Sequence, residues 1–360
     1  MAILYRYLAR PLLFSLTKLN PEHAHDLTIA TLKKLGALPP LLLRLASGSF
    51  TVPNAPSLHR QVANLNFPNP VGLAGGFDKN GVAIKALANL GFGFIEVGTV
   101  TLRPQPGQDQ PRIFRLPASE AVINRMGFNN LGADALALQL KSIWPASIPI
   151  GVSIGKNKDT PEVEAAAEYC QALEKIHPFL DYLAINVSSP NTLGLRNLQH
   201  YSALTELLTN IQQTLHSLSL TQNTRVKPVF LKISPDLTHS QLIELLTVCE
   251  SHNISGIIAT NTTLNRNGIA VSDAHKASQA GGLSGKPLTK QARDMVALIH
   301  KETQGRLPII GVGGIMTVDD GLRMLDAGAS LIQVYTGLVY SGISLIHNIN
   351  RALLQRHLNR

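Results

Sequence analysis

The 360-residue sequence contains little cysteine, few aromatic residues and few charged residues. Its two cysteines, Cys170 and Cys249, have no CxxC spacing, which argues against a disulfide framework or a zinc site. The twelve histidines form no HExxH motif, so no metal centre is expected. No apolar run approaches the roughly 20 residues that would cross a bilayer. Basic residues interleaved with aromatics are also missing, and despite a net charge of +9 we expect no nucleic-acid partner.

Short apolar segments that alternate with helical patterns make up the chain from about residue 70. Because these segments are apolar throughout, they predict parallel strands covered by helices. Eight such units predict a closed (β/α)8 TIM barrel, an α/β fold, rather than an open sheet. Insertions near residues 100–128 and 261–288 interrupt the spacing. The predicted strands are centred near Val71, Ile95, Val152, Ile185, Leu231, Ile258, Ile310 and Val334.

Residues 1–50 depart from this pattern and predict a small N-terminal two-helix extension, followed by a barrel domain over residues 51–360. Arg6 and Arg10 lie beside the apolar stripe of the first helix, and a break at Asn20-Pro21 precedes a second helix that closes at Gly36. Broad apolar faces with a cationic rim are typical of helices at a membrane surface, although packing on the barrel explains the pattern equally well. The apolar stripe comprises Ile3, Leu4, Tyr7, Leu8 and Leu12.

Polar side chains follow or end several of the predicted strands. In a TIM barrel the carboxyl ends of the strands meet at one mouth, where active sites lie. Polar groups that converge there need partners, commonly a ligand, although Asn, Thr and Ser also favour turns and helix starts. Turn formation does not account for lysines at strand ends. The polar residues are Asp78, Lys79, Asn80, Thr99, Ser153, Lys156, Asn186, Ser188, Ser189, Asn191, Lys232, Thr260, Asn261, Thr262 and Thr263.

Glycine-rich loops follow the last two predicted strands, as GVGGI at residues 311–315 and VYTG at residues 334–337. Glycines there let backbone N–H groups approach an anion, and the corresponding loops hold phosphate in many barrels. A GGLSG segment at residues 281–285 offers further donors. Neither a GxGxxG motif after a strand nor a P-loop is present. The loops therefore favour FMN or a sugar phosphate over NAD as the ligand.

The segment NVSSPNT at residues 186–192 places Ser189 at the barrel mouth, in a turn that Pro190 stiffens. A serine can serve as a base only if it is desolvated, hydrogen-bonded and set against an acidic C–H. Neither a nearby histidine nor a GxSxG motif accompanies it, which disfavours acyl transfer.

A series of motifs resembles the signature set of the dihydroorotate dehydrogenase family. In chain order they are GLAGGFDKNG, IEVGTVTLRPQPG, PRIFRL, NRMGFNN, IGKNKDTP, NVSSPNT, LKISPDL, ATNTT, GGLSG, GVGGI and QVYTG. The N-terminal helices and the segment PEHAHDL resemble the extension of the quinone-linked class 2 of that family. The resemblance implies oxidation of dihydroorotate to orotate in pyrimidine (UMP) biosynthesis, with FMN as hydride acceptor and a membrane quinone as final electron acceptor.

The resemblance also implies roles for individual residues. Ser189 would remove the proton at C5 while hydride passes from C6 to the flavin, and the soluble class has cysteine at this position. Lys232 would stabilise negative charge near flavin N1. Substrate-binding residues would be Lys79, Asn124, Arg125, Met126, Gly127, Phe128, Asn186, Asn191, Asn261 and Thr262. FMN-binding residues would be Ala74, Gly75, Gly76, Lys79, Thr99, Ser153, Asn186, Lys232, Thr260, Gly285, Gly314, Tyr335 and Thr336. Residues near the quinone would be His25, Arg115 and Tyr335.

One position departs from the family pattern, because Ser153 stands where many members have asparagine. Serine is shorter and lacks the two amide donors, so a water is expected to fill the gap to the flavin. We further expect a monomer bound peripherally to the cytoplasmic face of a bacterial inner membrane, rather than to a mitochondrial membrane.

The sequence leaves three other functions open. One is an FMN barrel that uses NAD(P)H, against which Ser189 in place of cysteine and the apolar N-terminal helices argue. Another is a flavin-free barrel for a sugar phosphate, which explains the glycine loops but not Lys232 together with the Asn–Ser cluster. The third is a non-catalytic binding barrel, in which the polar residues at the strand ends would have no chemical role.

Overall fold

A closed barrel of eight parallel strands forms the centre of the computed structural model, which describes residues 5–17, 20–39, 41–43, 52 and 55–358. Each segment predicted as a strand contributes one barrel strand, so the TIM-barrel prediction is confirmed. In chain order the strands are β1 Arg60–Val62, β2 Leu65–Phe67, β3 Val71–Leu73, β4 Phe94–Val100, β5 Ile113–Leu116, β6 Ala121–Asn124, β7 Ile150–Ile154, β8 Tyr182–Asn186, β9 Val229–Ile233, β10 Gly256–Ala259, β11 Gly282–Gly285, β12 Ile309–Val312 and β13 Leu331–Val334. Around the barrel the order is β3-β4-β7-β8-β9-β10-β12-β13.

Helices cover the outside of the barrel and bury their apolar faces on it. Local sequence sets some of their starts, since Thr238 and Thr317 each form a capping box at the first turn. Over the described residues the α-helices are Arg10–Leu16, Pro21–Gly36, Ile84–Ala88, Ala133–Lys141, Ala165–Ile176, Tyr201–Thr221, His239–Ser251, Thr289–Glu302, Val318–Asp326, Thr336–Ser341 and Ser344–Leu358.

Aromatic rings fill the barrel interior at the amino-terminal ends of the strands. The hairpin β1–β2 lies there, and Phe67 packs edge-on against Phe94, with ring centroids 5.2 Å apart. Tyr182 packs in the same way against Phe230, at 5.3 Å. These rings are fully or almost fully buried. The closed floor places any large ligand at the opposite, carboxyl-terminal mouth.

The two insertions meet over the barrel mouth as a separate three-stranded antiparallel sheet, in the order β11-β6-β5. Asn124 at the end of β6 pairs with Gly282 on one side and Ile113 on the other. The sequence indicated both insertions but not that they pair, because the register joins segments about 160 residues apart. The sheet forms a roof that holds Asn124 above the mouth.

The two predicted N-terminal helices are present as Arg10–Leu16 and Pro21–Gly36, and a short π-helical turn, Tyr5–Ala9, precedes the first. The second is capped by Asn20, whose Oδ1 accepts a hydrogen bond from the Glu22 N–H at 3.1 Å. Ile3 and Leu4 of the predicted stripe lie outside the described residues. No helix in the described ranges combines the length and the apolar character that crossing a bilayer demands.

Candidate functional site

A cavity at the carboxyl ends of the barrel strands has an empty volume of about 980 Å³, including its open mouth. This is within the usual size of a pocket that encloses a small-molecule ligand. Most residues that the sequence assigned to substrate or cofactor line it together. They are Ala74, Gly75, Gly76, Lys79, Thr99, Asn124, Met126, Gly127, Phe128, Asn186, Ser189, Asn191, Lys232, Thr260, Asn261, Thr262, Gly285, Gly314, Tyr335 and Thr336.

Two predicted residues lie outside the cavity wall. Ser153 is fully buried, and its hydroxyl shares a 2.8 Å hydrogen bond with the Thr99 hydroxyl, so it supports a wall residue. The Arg125 guanidinium donates to Gln279 and to the Pro111 carbonyl, at 3.1 and 2.8 Å. These bonds hold the roof loops together.

A hydrogen-bonded network of amides and hydroxyls fixes the wall below the roof. The Asn186 amide donates to the Thr99 Oγ1 at 2.8 Å, and its Oδ1 accepts from the Asn261 amide at 3.2 Å. Asn261 also donates to the Ser188 Oγ at 3.0 Å, and its own Oδ1 accepts from the Thr262 N–H at 2.8 Å. Side chains tied in this way are preorganised, so they can bind a polar ligand without first losing rotamer freedom.

Ser189 lies beside this network, at the end of β8. Its side chain is buried, with 6% of the residue exposed, and its Oγ accepts a hydrogen bond from the Asn191 N–H at 3.3 Å. Among the described residues the hydroxyl has no acceptor of its own. A desolvated oxygen of this kind can exchange a proton with a bound ligand, as expected for a base in an enclosed site.

Lys79 presents an ammonium group that has neither a hydrogen bond nor an ion pair within the described part of the chain, although it lines the cavity. Burial, together with the positive charge of Arg112, lowers the pKa of Lys79 to about 8, while Glu22 acts in the opposite direction. The group therefore still carries its charge near neutral pH. An unpaired cation at a cavity wall is suited to a carboxylate ligand.

The loop that follows β12 supplies free backbone donors to the same cavity. The N–H groups of Gly313, Gly314 and Ile315 have no acceptor among the described residues. Gly314 adopts a φ of +67°, and a Cβ there would lie 2.2 Å from the Thr289 Cα, so glycine is required at this position. Three consecutive free N–H groups form a cradle suited to a phosphate.

Aromatic contacts connect the second N-terminal helix to this cavity. The His25 ring packs edge-on against Phe77 at 5.3 Å, and Phe77 packs against Tyr335, a cavity residue, at 5.7 Å. Burial, and after it the charge of Lys79, lowers the pKa of His25 to about 3, so its imidazole is neutral at physiological pH. Neither His25 nor Arg115 is among the residues that line the cavity.

Arg115 connects the first N-terminal helix to the roof. Its Nη2 donates to the Thr17 carbonyl at 2.5 Å and to the Thr17 Oγ1 at 3.0 Å, and the guanidinium lies over the Phe14 ring at 4.3 Å. The Nη1 atom is buried without a hydrogen-bond partner among the described residues. A buried donor with no acceptor is costly, so a ligand group that filled this vacancy would bind favourably.

Comparison with known families decides what kind of barrel this is. The family model for dihydroorotate dehydrogenase matches residues 57–357. This chain belongs to the dihydroorotate dehydrogenase family. The match covers the whole barrel, and the N-terminal helices precede it.

Individual members of the dihydroorotate dehydrogenase family are similar over nearly the full length. A dihydroorotate dehydrogenase (quinone) of Chloroflexus aurantiacus is 53% identical over 353 residues, which cover 98% of this chain and 97% of the relative. A relative of the same name from Salinispora arenicola is 49% identical over 347 residues, covering 96% and 97%. The crystal structure of DHODH from Eimeria tenella in complex with ferulenol matches with a TM-score of 0.85 at 35% identity, covering 97% of this chain and 95% of that chain.

Several parts of this dihydroorotate dehydrogenase site were not predicted from the sequence. Ser284, Gly313 and Gln333 also line the cavity. Ser284 and Gly313 belong to the GGLSG and GVGGI motifs, but the sequence predicted no individual role for either residue. Gln333 and Glu96 are polar residues within otherwise apolar strands, and that contrast was the available signal for both.

A buried ion pair between the second N-terminal helix and the cavity roof was also missed. Arg112 donates to both carboxylate oxygens of Glu22, at 2.8 to 3.1 Å, and both residues are buried. Arg112 also donates to the carbonyls of Pro106 and Gln108, at 2.6 and 2.9 Å. Because 90 residues separate the two charges, no local pattern marked the pair.

Proposed function

We propose that this member of the dihydroorotate dehydrogenase family oxidises (S)-dihydroorotate to orotate and delivers the electrons to a membrane quinone. The reaction belongs to pyrimidine biosynthesis, on the route to UMP. One observation carries the proposal: a single cavity holds an unpaired lysine ammonium, a buried serine hydroxyl and a loop of free backbone N–H groups. These three parts match a substrate carboxylate, a C–H that loses its proton and a phosphate-bearing cofactor.

FMN is the cofactor that these residues fit. The N–H groups of Gly313–Ile315 suit its phosphate, and Gly285 and Thr336, which lie next to each other, line the same cavity. Lys232 lines the cavity wall on β9, where its ammonium would stabilise negative charge on the ring. Bound FMN supplies the hydride acceptor of the reaction. Ser153 would act on the cofactor through Thr99 instead of touching it.

The substrate would be held between the Lys79 ammonium and the hydrogen-bonded network of Asn186, Asn261 and Ser188. Lys79 binds the carboxylate, and the side chains of Asn186 and Asn261 offer amide donors and acceptors to the amide groups of the pyrimidine ring. Ser189 Oγ takes the proton from C5 as its own hydroxyl proton passes to a solvent water molecule. Its burial favours this step, since water does not compete for the oxygen. Asn124, Asn191 and Thr262 complete the pocket around the ring.

The quinone would approach between the N-terminal helices and the barrel. The contact series from His25 through Phe77 to Tyr335 leads from the second helix to the cavity wall. A quinone is apolar apart from its carbonyl oxygens, and the buried Nη1 of Arg115 is a donor without an acceptor that such an oxygen would satisfy.

Membrane association is proposed for the N-terminal region, residues 1–50, with the barrel over residues 51–360 as the catalytic domain. Large apolar side chains that are more than half exposed support it, since such a surface is suited to the lipid interface. We propose a monomer at the cytoplasmic face of a bacterial inner membrane. The exposed residues are Tyr7, Leu8, Leu12, Leu16, Leu27 and Leu41.

The decisive experiment compares Ser189→Ala with Ser219→Ala, which removes a buried hydroxyl from helix Tyr201–Thr221, outside the cavity. In anaerobic stopped-flow mixing with dihydroorotate, Ser189→Ala should keep its flavin but reduce it about 10²- to 10⁴-fold more slowly, the usual loss for a general base. Ser219→Ala should match the unmodified protein. Normal reduction kinetics in Ser189→Ala would reject the assigned base, and reduction by NAD(P)H but not by dihydroorotate would reject the function.

A further inference from the structure

A carboxylate lies inside the barrel beneath the cavity. Glu96 of β4 is fully buried, and its Oε2 accepts hydrogen bonds from the Gln333 amide at 2.8 Å and the Tyr182 hydroxyl at 3.4 Å. Its Oε1 has no hydrogen-bond donor among the described residues. The Nζ of Lys232 lies 3.5 Å from that oxygen. The carboxylate is therefore held firmly on one side and faces the lysine with the other.

The Glu96 cluster, which Glu96 forms with Gln333, Tyr182 and Lys232, borders the wall where the cofactor would bind. Lys232 and Gln333 both line the cavity. Gly75, another wall residue, is so close that a Cβ there would lie 2.3 Å from Glu96 Oε1. One glycine therefore separates the carboxylate from the cavity, and at such a distance a buried charge acts strongly on a ligand.

Stability alone does not explain this cluster. The interior of a TIM barrel is normally filled by bulky apolar side chains, and buried ion pairs are often replaced by such residues without loss of stability. A stabilising pair would satisfy all its polar atoms, whereas Glu96 Oε1 and Gln333 Oε1 both lack a donor among the described residues. The charge pair contributes something other than packing.

We propose that Glu96 is a positioning residue that holds the Lys232 ammonium at the cavity wall and offsets part of its charge, thereby setting the redox potential of the bound flavin. The inference rests on the proposed function. Lys232 alone would stabilise the negative charge of reduced flavin and make the flavin a stronger oxidant. Glu96 weakens this effect, so the flavin can be reduced by substrate and still pass its electrons to quinone.

The test measures the midpoint potential of the flavin in the holoenzyme by equilibration with a reference dye. Removing the charge in Glu96→Gln should raise the potential, shifting the equilibrium between oxidised and reduced flavin by about tenfold to a hundredfold, as expected for one charge at an effective dielectric constant near 20. Reoxidation of the reduced enzyme by quinone should slow in parallel. An unchanged or lowered potential would overturn the proposal.

Glu168→Gln is the matched control. Glu168 is also a buried glutamate, its Oε1 accepts from the Asn157 N–H at 2.7 Å, its Oε2 has no donor among the described residues, and it lies outside the cavity wall. Its removal should leave the potential unchanged. A rise equal to that of Glu96→Gln would show that any buried carboxylate has this effect, and would overturn the specific role of Glu96.

Two further variants keep the proposal testable if Glu96→Gln does not fold. Gln333→Leu removes the 2.8 Å donor to Glu96 and should shift the potential in the same direction by less. In Lys232→Met the potential should fall, and adding Glu96→Gln to it should produce a smaller rise than in the unmodified protein, because part of the effect of the glutamate acts through the lysine. Equal rises in both backgrounds would contradict that route. Failure of dihydroorotate to reduce the unmodified holoenzyme would reject the proposed function, whereas normal reduction with unchanged potentials would reject only the role of Glu96.

Discussion

The barrel and the N-terminal helices use their apolar residues in opposite ways. All seven residues of β4 are buried, and apolar side chains fill the floor of the barrel interior. In helix Arg10–Leu16, by contrast, Leu12 and Leu16 are 61% and 75% exposed. Burial of apolar surface is the main contribution to folded stability, so the barrel holds itself together while the helices need other attachments.

Directional polar contacts supply those attachments. The Tyr5 hydroxyl and the Arg10 guanidinium donate to the carbonyls of Val339 and Tyr340, each at 2.9 Å. The buried pair between Glu22 and Arg112 attaches the second helix to the cavity roof. The N-terminal helices can leave apolar side chains exposed because a few directional polar bonds fix their position on the barrel.

The largest predicted effect comes from breaking the Glu22–Arg112 pair. Glu22→Ala leaves the Arg112 guanidinium buried with only the carbonyls of Pro106 and Gln108 as partners. We expect a loss of about 3–5 kcal/mol from the free energy that holds the helix on the roof, since an unpaired buried charge is strongly destabilising. Limited proteolysis should then cut the N-terminal helices while the barrel stays intact, and turnover of a long-tailed quinone should fall.

An exposed ion pair provides the control for Glu22→Ala. Asp294 pairs with Lys290 on the surface of helix Thr289–Glu302, with side chains 52% and 81% exposed. Asp294→Asn should change the free energy of unfolding by less than about 1 kcal/mol and leave the proteolysis pattern unchanged. If the two variants behaved alike, the buried pair would not be what fixes the helix.

The next effect concerns Lys79, which stands where the two regions meet. Lys79→Met should remove about 1.5–3 kcal/mol of transition-state stabilisation, the contribution of a hydrogen bond to a charged group, and so lower kcat/KM for dihydroorotate by about tenfold to a hundredfold. In the unmodified protein the lysine is charged below its pKa of about 8 and loses its proton above it. The value of kcat/KM should therefore fall as the pH rises through about 8, and Lys79→Met should lack this decline.

Glu22 provides a test of whether Lys79 is the group whose titration lowers kcat/KM. Its negative charge raises the pKa of Lys79, against burial, which lowers it. In Glu22→Gln the decline of kcat/KM should consequently move to lower pH. A decline that persists unchanged in Lys79→Met would assign the titration to another group.

The sequence predicted the parts of this molecule that depend on local pattern. Eight apolar segments were enough to place every barrel strand. The polar strand ends placed part of the cavity wall, and the family resemblance placed most of the rest. It did not predict the roof sheet or the Glu22–Arg112 pair, because their partners are far apart in the chain. Ser153 was placed correctly on its strand, but its hydrogen bond to the Thr99 hydroxyl depends on packing that no pattern records.

The smallest predicted effect on stability sharpens the comparison between the two regions. Leu16 and Leu220 are 75% and 70% exposed, but Leu16 belongs to the N-terminal helices and Leu220 to helix Tyr201–Thr221 on the barrel exterior. Replacing either with serine should change the free energy of unfolding by no more than about 0.5 kcal/mol, as is usual at exposed positions. Only Leu16→Ser should weaken binding to vesicles of anionic phospholipid, by about tenfold to a hundredfold, since an inserted leucine side chain contributes about 1.5–3 kcal/mol. Equal vesicle binding of the two variants would mean that the exposed leucines of the N-terminal helices do not enter lipid.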